Sequence, residues 1–286
     1  MLQNRATLKQ IRFHLLGELR QIYAENESES IVRLILEHLG YNLSLTLRDP
    51  DQRSAPGVAA QINVFIAEIR SGIPIQYILG TTDFCDLPIK VNKNVLIPRP
   101  ETEEMVEHIK KMSREPIQRI IDLGTGSGCI ALSLKKFFPD AEVWGVDISR
   151  EALLVAGENG RNNKLHVNWG YFDLLNTHPL DHWERFNLVV SNPPYVMNSE
   201  RKTMAAHVLD FEPESALFVE DDDPLIFYRA IAAFCSLHLA DRGEIWVEIN
   251  ESLGRESARL FEKEGFRKVL ILKDIHDKDR YVHARR

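Results

Sequence analysis

Apolar residues in the first eighty positions recur with a helical period. Ile11, Leu15, Leu19 and Ile22 follow at steps of four, four and three, which places them on one helix face. Ile31, Leu34, Ile35 and Leu39 repeat the stripe, with Ser28 or Ser30 as candidate N-cap and Gly40 just past the end. Ile62, Phe65, Ile66 and Ile69 form a third stripe, after a polar, turn-rich connection at residues 49–57. Residues 1–80 therefore predict a small helical domain with no recognisable chemistry of its own. At 81–97 the pattern shortens. Asp86, Pro88 and Lys93-Asn94 punctuate β-like pieces at Ile89–Val91 and Val95–Ile97, which predicts a hairpin linking two domains.

From residue 98 to 286 helical and strand-like segments alternate. Helices are predicted at Glu101–Met112, Ala131–Phe138, Glu151–Asn159 and Leu225–Leu239. Strands are predicted at Arg119–Asp122, Ala141–Val146, Leu165–Trp169, Phe186–Ser191, Glu244–Glu248, Phe266–Leu272 and Arg280–Ala284. Such alternation implies an α/β domain with a mostly parallel sheet covered on both faces. The acidic run Glu220–Asp223 reads as a solvated loop.

Composition narrows this picture only a little. The 286 residues are 44% hydrophobic and 27% charged, as expected for a soluble chain with room for two domains. The net charge of −7 argues against wrapping nucleic acid on phosphate contacts alone. Cys85, Cys129 and Cys235 are far apart and read as reduced thiols in a cytoplasmic protein, without zinc spacing. The ten histidines are scattered, so no metal site is expected. No run of about 18 apolar residues predicts a membrane span. The basic start, MLQNRATLKQIRFHLL, has some character of a transit peptide, but an amphipathic helix accounts for it better because acids follow from Glu18. Trp144, Trp169 and Trp246 lie on predicted strands and read as core.

Two segments carry chemistry. The first is Asp122-Leu-Gly124-Thr125-Gly126-Ser127-Gly128, between a predicted strand and a helix. A doubly wound sheet places nucleotide-like ligands there, and glycines let the ligand approach the backbone. The spacing is not the G-x-G-x-x-G dinucleotide fingerprint, and no G-K-[ST] follows. Asp147 ends the next strand. Its carboxylate is placed to accept from both hydroxyls of an adenosyl ribose, or to cap the following helix.

The second segment is more specific. The strand Leu188–Ser191 runs into Asn192-Pro193-Pro194-Tyr195. The prolines remove two backbone donors and fix φ, and Asn192 is held extended before a proline. The Asn192 side-chain oxygen and a backbone carbonyl such as that of Pro193 are then free to accept from both N–H groups of a planar amide or amine. Such a grip orients a poorly nucleophilic nitrogen toward an electrophilic methyl group and favours the positive charge that develops. Tyr195 is a candidate stacking platform. Arg99 and Glu103 either line a substrate entrance or pin the hairpin, and Glu248 is either a cap or functional.

With these residues in view, the chain resembles the Rossmann-like class I methyltransferases, and among them the peptide-chain release factor glutamine methyltransferases. Arg70–Gly80, Leu96–Glu103, Phe211-Glu212-Pro213 with Ala216-Leu217, and Asp279–Val282 are similar to family segments. The resemblance implies a helical domain (1–80) that docks the release factor, a hairpin (81–97), and a seven-stranded S-adenosylmethionine-dependent domain (98–286). It implies methylation of the side-chain amide nitrogen of the glutamine in a Gly-Gly-Gln tripeptide, by a cytoplasmic monomer acting on a protein. It places the cofactor on Gly124, Thr125, Gly126, Ser127, Gly128, Asp147, Asn192 and either Phe172 or Asp173. It places the glutamine on Asn192, Pro193, Pro194 and Tyr195, with Asn192, Pro193 and Tyr195 as the catalytic group.

The chain departs from the family at Phe218–Pro224, where a glycine-rich turn is usual, and at Cys85-Asp86, where a glycine is usual. The competing activity is methylation of an exocyclic amine of a nucleic-acid base, which uses a similar tetrapeptide with the aromatic stacked on an extruded base. The acidic balance and the lack of a basic, aromatic-interleaved stripe argue against it. A nicotinamide-dependent dehydrogenase is disfavoured by the glycine spacing. A non-catalytic binding protein has no use for both segments.

Overall fold

The computed structural model describes residues 2, 5–113, 117–176 and 183–286. The chain forms two compact units, Met1–Gly80 with Ala206–Phe211, and Thr81–Ala205 with Glu212–Arg286.

The helical unit holds α1 (Leu8–Leu19), α2 (Glu25–His38), α3 (Leu43–Arg48), α4 (Val58–Arg70) and α5 (Ile75–Leu79), with the short helix Ala206–Phe211, α9 in chain order. A capping box starts α1: Thr7 Oγ1 accepts from the Gln10 amide, and Gln10 Oε1 accepts from the Thr7 amide. The predicted stripes meet in one core, where Ile11, Leu15 and Leu19 pack with Ile31, Ile35, Ile62, Ile66 and Ile69. Ile22 falls outside it. The helix closes before Ile22, whose amide bonds back to the Leu19 carbonyl, and the side chain is exposed. Neither Ser28 nor Ser30 caps α2. It starts at Glu25, with Glu25 and Glu27 favouring its positive end, and both serine hydroxyls bond back to carbonyls of preceding residues.

The second unit opens with the hairpin β1 (Thr81–Phe84) and β2 (Leu87–Lys90). Its turn is Cys85-Asp86, with φ of +48° and +55°. Two left-handed residues match the twist of a two-residue hairpin but are costly without glycine. Two side chains hold them: Glu103 Oε1 accepts from the Cys85 amide at 3.0 Å, and Lys136 Nζ donates to the Cys85 carbonyl at 2.7 Å. Buried Asn159 ties the hairpin down further, bonding the Lys90 amide and carbonyl and also the Ser127 carbonyl. The hairpin thus groups with the catalytic unit. Val95–Ile97, expected as a β piece, is irregular chain with Val95 and Ile97 buried. Ala206–Phe211, expected within the catalytic domain, groups instead with the helical unit, where the Phe211 ring packs 3.4 Å from where a side chain on Gly72 would begin.

There follow α6 (Pro100–Met112), β3 (Arg119–Leu123), α7 (Cys129–Phe137), β4 (Glu142–Asp147), α8 (Arg150–Asn163), β5 (Asn168–Tyr171), β6 (Phe186–Ser191), β7 (Val196–Met197), β8 (Phe218–Val219), α10 (Ile226–His238), β9 (Leu239–Glu248), α11 (Gly254–Lys263), β10 (Arg267–Lys273) and β11 (Asp279–Arg285). Pro100 at the start of α6, with Glu101 and Glu103 in its first turn and Lys110 and Lys111 in its last, suits both ends of that helix. The seven-stranded sheet has the order β10–β11–β9–β6–β3–β4–β5. It is parallel from β9 through β5; at the other edge β11 runs antiparallel to β9, and β10, antiparallel to β11, returns to the direction of the rest. The inner strands are nearly continuous apolar runs, as burial on both faces requires. Chain order reverses between β3 and β6, so the segments leaving their carboxyl ends lie side by side. Ser191 Oγ donates to the Leu123 carbonyl at 2.7 Å and joins those ends. Among the described residues no helix is long and apolar enough to cross a membrane.

Candidate active site

A cavity of about 460 Å³ opens at this reversal. Gly124, Thr125, Gly126, Ser127, Asp147, Phe172, Asp173, Asn192, Pro193 and Pro194 all line it. Gly128 and Tyr195 do not.

Gly128 acts beneath the loop. It begins α7 at φ +82°, and a β-carbon there would meet Trp169 at 2.8 Å. The same indole covers Gly145 on β4, where a β-carbon would meet Trp169 Cε3 at 2.7 Å and Thr125 Oγ1 at 2.8 Å. Trp169 therefore packs under the glycine loop, and two glycines leave room for it. Asp122, fully buried, accepts the Thr125 hydroxyl at 2.6 Å and so turns the loop's one threonine inward. Burial pushes the Asp122 carboxyl up to about 7.

Asp147 does not cap α8. Ser149 does, accepting from the Ala152 amide at 3.1 Å. Each Asp147 oxygen instead accepts one backbone amide at 2.8 Å, from Gly126 and from Ser149. Burial raises its carboxyl above the ordinary range, and those two amides pull against the rise. Phe172 and Asp173 divide the work at the next strand end. The Phe172 ring is buried 5.2 Å from the Trp183 ring and gives an apolar wall. The Asp173 carboxylate accepts from the Leu175 and Asn176 amides and shapes the turn.

At the end of β6, Asn192 Nδ2 donates to Thr102 Oγ1 at 2.9 Å. Thr102 donates to Glu248 Oε2 at 2.7 Å, and the Tyr195 hydroxyl donates to Glu248 Oε1 at 2.9 Å. Glu248 is thus a buried acceptor rather than a cap. Burial raises its carboxyl, opposed by the Thr102 and Tyr195 hydroxyls and by Arg280. Tyr195 is not placed as a stacking platform: its ring packs against the core and its hydroxyl is committed to Glu248. Burial first, and the Glu248 charge second, raise the phenol well above its ordinary value. The segment that follows is braced from outside. β7 pairs with β8, Asn250 Nδ2 donates to the Tyr195 carbonyl, Glu220 accepts from Asn198, and Asp221 accepts from Ser199. The acidic run expected as a solvated loop is part of this brace.

Arg99 and Glu103 separate. Arg99 lines the cavity and pairs with buried Glu212 at 2.6 Å, while Glu103 holds the hairpin turn. Thr102, Asn159 and Asp122 were not singled out as site residues by sequence reasoning, and Glu248 was left open between a cap and a function. For Asp122 its place at the head of the glycine run was an available signal. Thr102 and Asn159 reach their partners only through the fold. Among the described residues no group of three or more His, Cys, Asp and Glu is placed to hold a metal ion.

Residues 101–218 match the family model described as a methyltransferase small domain. A Flavobacterium psychrophilum protein named release factor glutamine methyltransferase is 41% identical over 281 residues, covering 96% of this chain and 98% of that one. A Bacteroides thetaiotaomicron protein of the same name is 38% identical over 280 residues, covering 98% and 100%. The crystal structure of a methyltransferase from Pyrococcus furiosus is similar in fold, with a TM-score of 0.52 over 70% of this chain and 88% of that chain at 18% identity.

Proposed function

The chain belongs to the release factor glutamine methyltransferases, and from that premise we propose that it transfers a methyl group from S-adenosylmethionine to the side-chain amide nitrogen of the glutamine in the Gly-Gly-Gln motif of a peptide-chain release factor. We read it as a cytoplasmic monomer that acts on a protein and not on nucleic acid, with the helical unit docking the factor.

The cavity suits the methyl donor. It has a carboxylate at the tip of β4, an apolar wall from Phe172, Leu174 and Ile148, and a polar end at Asn192. When bound, S-adenosylmethionine supplies an electrophilic methyl on a sulfonium centre. The loop Gly124–Ser127 lets the donor come close to the backbone. Each Asp147 oxygen accepts one amide and keeps lone-pair capacity for the ribose hydroxyls. Phe172 and Ile148, which line the cavity, would hold the adenine by apolar contact.

The observation that carries the proposal is the state of Asn192. Its amino group is committed to Thr102, which leaves its carbonyl oxygen as the end available to a ligand. That oxygen and the Pro193 carbonyl together accept both protons of a primary amide. Held in this way, the nitrogen is positioned for attack, and both acceptors favour its growing positive charge. The proton leaves after the methyl arrives, so no strong base is needed.

The placement of Tyr195 bears on the competing activity. A base-methylating site needs its aromatic exposed for stacking, and here the ring is partly buried and packed against the core, with its hydroxyl committed to Glu248. The deciding assay follows labelled methyl transfer to a release factor, to its Gly-Gly-Ala variant and to bulk nucleic acid. Label on the intact factor alone is expected. Label on nucleic acid alone overturns the substrate assignment while leaving the donor site standing.

A further inference from the structure

We infer that Thr102 and Glu248 are positioning residues that set the direction of hydrogen bonding through the site, so that Asn192 presents its carbonyl oxygen, and not its amino group, to the transferring amide. The inference rests on the glutamine reading above and adds how its acceptor is oriented.

A primary amide is nearly symmetric in shape, and rotation by about 180° exchanges its oxygen and nitrogen. Packing alone discriminates poorly between the two states, so the choice has to come from a partner that can bond in only one sense. A threonine cannot supply it by itself, because a hydroxyl both donates and accepts. Glu248 can. It is buried at the end of β9, where two hydroxyl donors and the Arg280 charge favour its ionised form against burial, and an ionised carboxylate has no proton to give. Both of its oxygens are occupied by hydroxyl donors, Thr102 on Oε2 and Tyr195 on Oε1. The single proton of Thr102 is therefore committed to Glu248. Its oxygen has only acceptor capacity left, and the Asn192 group that meets it at 2.9 Å has to be the amino group. The three bonds run one way, from Asn192 through Thr102 to Glu248. In the reverse sense a substrate N–H would meet an N–H.

Tyr195 keeps Oε1 filled, and Glu248 is held by groups from α6 and from the segment after β6. The relay therefore draws on three separate stretches of chain. This gives the fourth residue of the Asn-Pro-Pro-Tyr segment a task at a site it does not line.

The test uses the full chain with Thr102→Ser, Thr102→Val and Glu248→Gln. Glutamine at 248 can donate to Thr102 and so permits the reversed chain, valine breaks it, and serine keeps it. Thr102→Ser is expected to retain kcat within about threefold, while Thr102→Val and Glu248→Gln lose about 100-fold in kcat, the scale seen when one oriented polar group is removed from an active site. Affinity for S-adenosylmethionine, measured by calorimetry, is expected to stay within about twofold, since neither residue faces the ribose end. Wild-type kcat in both Thr102→Val and Glu248→Gln overturns the inference, as does a fall in donor affinity that matches the fall in kcat. Should Glu248→Gln fail to fold, the Val/Ser pair at 102 decides.

A second readout is independent of the methyl acceptor. The side-chain NH2 resonances of Asn192, assigned by their loss in Asn192→Asp, are expected to shift in Thr102→Val and Glu248→Gln and to hold in Thr102→Ser. Unmoved resonances overturn the relay. Shifted resonances in a protein that does not label the factor uphold the relay and overturn the substrate reading.

Discussion

At the ends of β3 and β4 the cavity wall is backbone and a carboxylate, held by bonds such as Thr125 to Asp122 and Gly126 to Asp147 that span 3 and 21 residues. At the end of β6 the wall is one side chain, held by a threonine 90 residues away, which is held in turn by a glutamate 146 residues from it. The near half is a local structure that a short stretch of sequence builds for itself. The far half exists only once the sheet has closed. Under the proposed function, binding the donor and orienting the acceptor fall to parts of the molecule with different dependence on the fold, and they should fail separately.

The largest effect is expected from Asn192→Ala. Turnover should fall by about 100-fold or more, since a transition-state contact is lost, with donor affinity within about tenfold. Single-turnover kinetics beside calorimetry measure both, and unchanged turnover removes Asn192 from the chemistry. Next comes Gly145→Ala, which drives a methyl group into Trp169 and Thr125. A loss of about 1–3 kcal/mol in urea unfolding is expected, as for other overpacked sites, together with weaker donor binding. Full stability there would mean that Trp169 moves aside freely. Asp147→Ala should weaken the donor by about 1–3 kcal/mol, the cost of hydrogen bonds lost at a half-buried group, while kcat at saturating donor stays near wild type. An unchanged dissociation constant removes the ribose assignment.

A separate effect, on stability rather than on turnover, concerns Asp122. Its buried carboxyl titrates near 7, against about 3.9 in an unfolded chain. The folded state therefore holds this proton more tightly. Its contribution to stability is complete below about pH 4 and is lost as pH rises through about 7. Asp122→Asn should flatten that part of the stability profile between those limits, measured by urea unfolding at several pH values. An unchanged slope assigns the profile to other groups.

These differences also explain what was legible beforehand. The alternation of elements, the glycine loop, Asp147 and the Asn-Pro-Pro segment depend on periodicity, turn chemistry and strand tips, which are local. Nothing local marks Thr102 within Pro-Glu-Thr-Glu, or shows that the Tyr195 ring turns inward. Both depend on where β9 places Glu248. The hairpin turn behaves alike: Cys85-Asp86 looked like a defect for lack of glycine, and its remedy is Glu103 and Lys136, supplied by α6 and α7. The misplaced cap of α2 has a different cause. Two serines in a polar stretch satisfied the capping pattern, but acidic residues one turn earlier started the helix first.

Ala206–Phe211 remains, six residues that group with the helical unit although both flanking stretches belong to the other. The helical unit is therefore a discontinuous domain. Cutting the chain after Gly80 separates most of it but strands one of its pieces in the remainder. Swapping the first eighty residues between relatives would install a new unit beside an old sixth helix. Any exchange of this helical unit, by an engineer or by recombination, has to carry two segments at once. The second of these begins at Ala206, eleven residues after Tyr195.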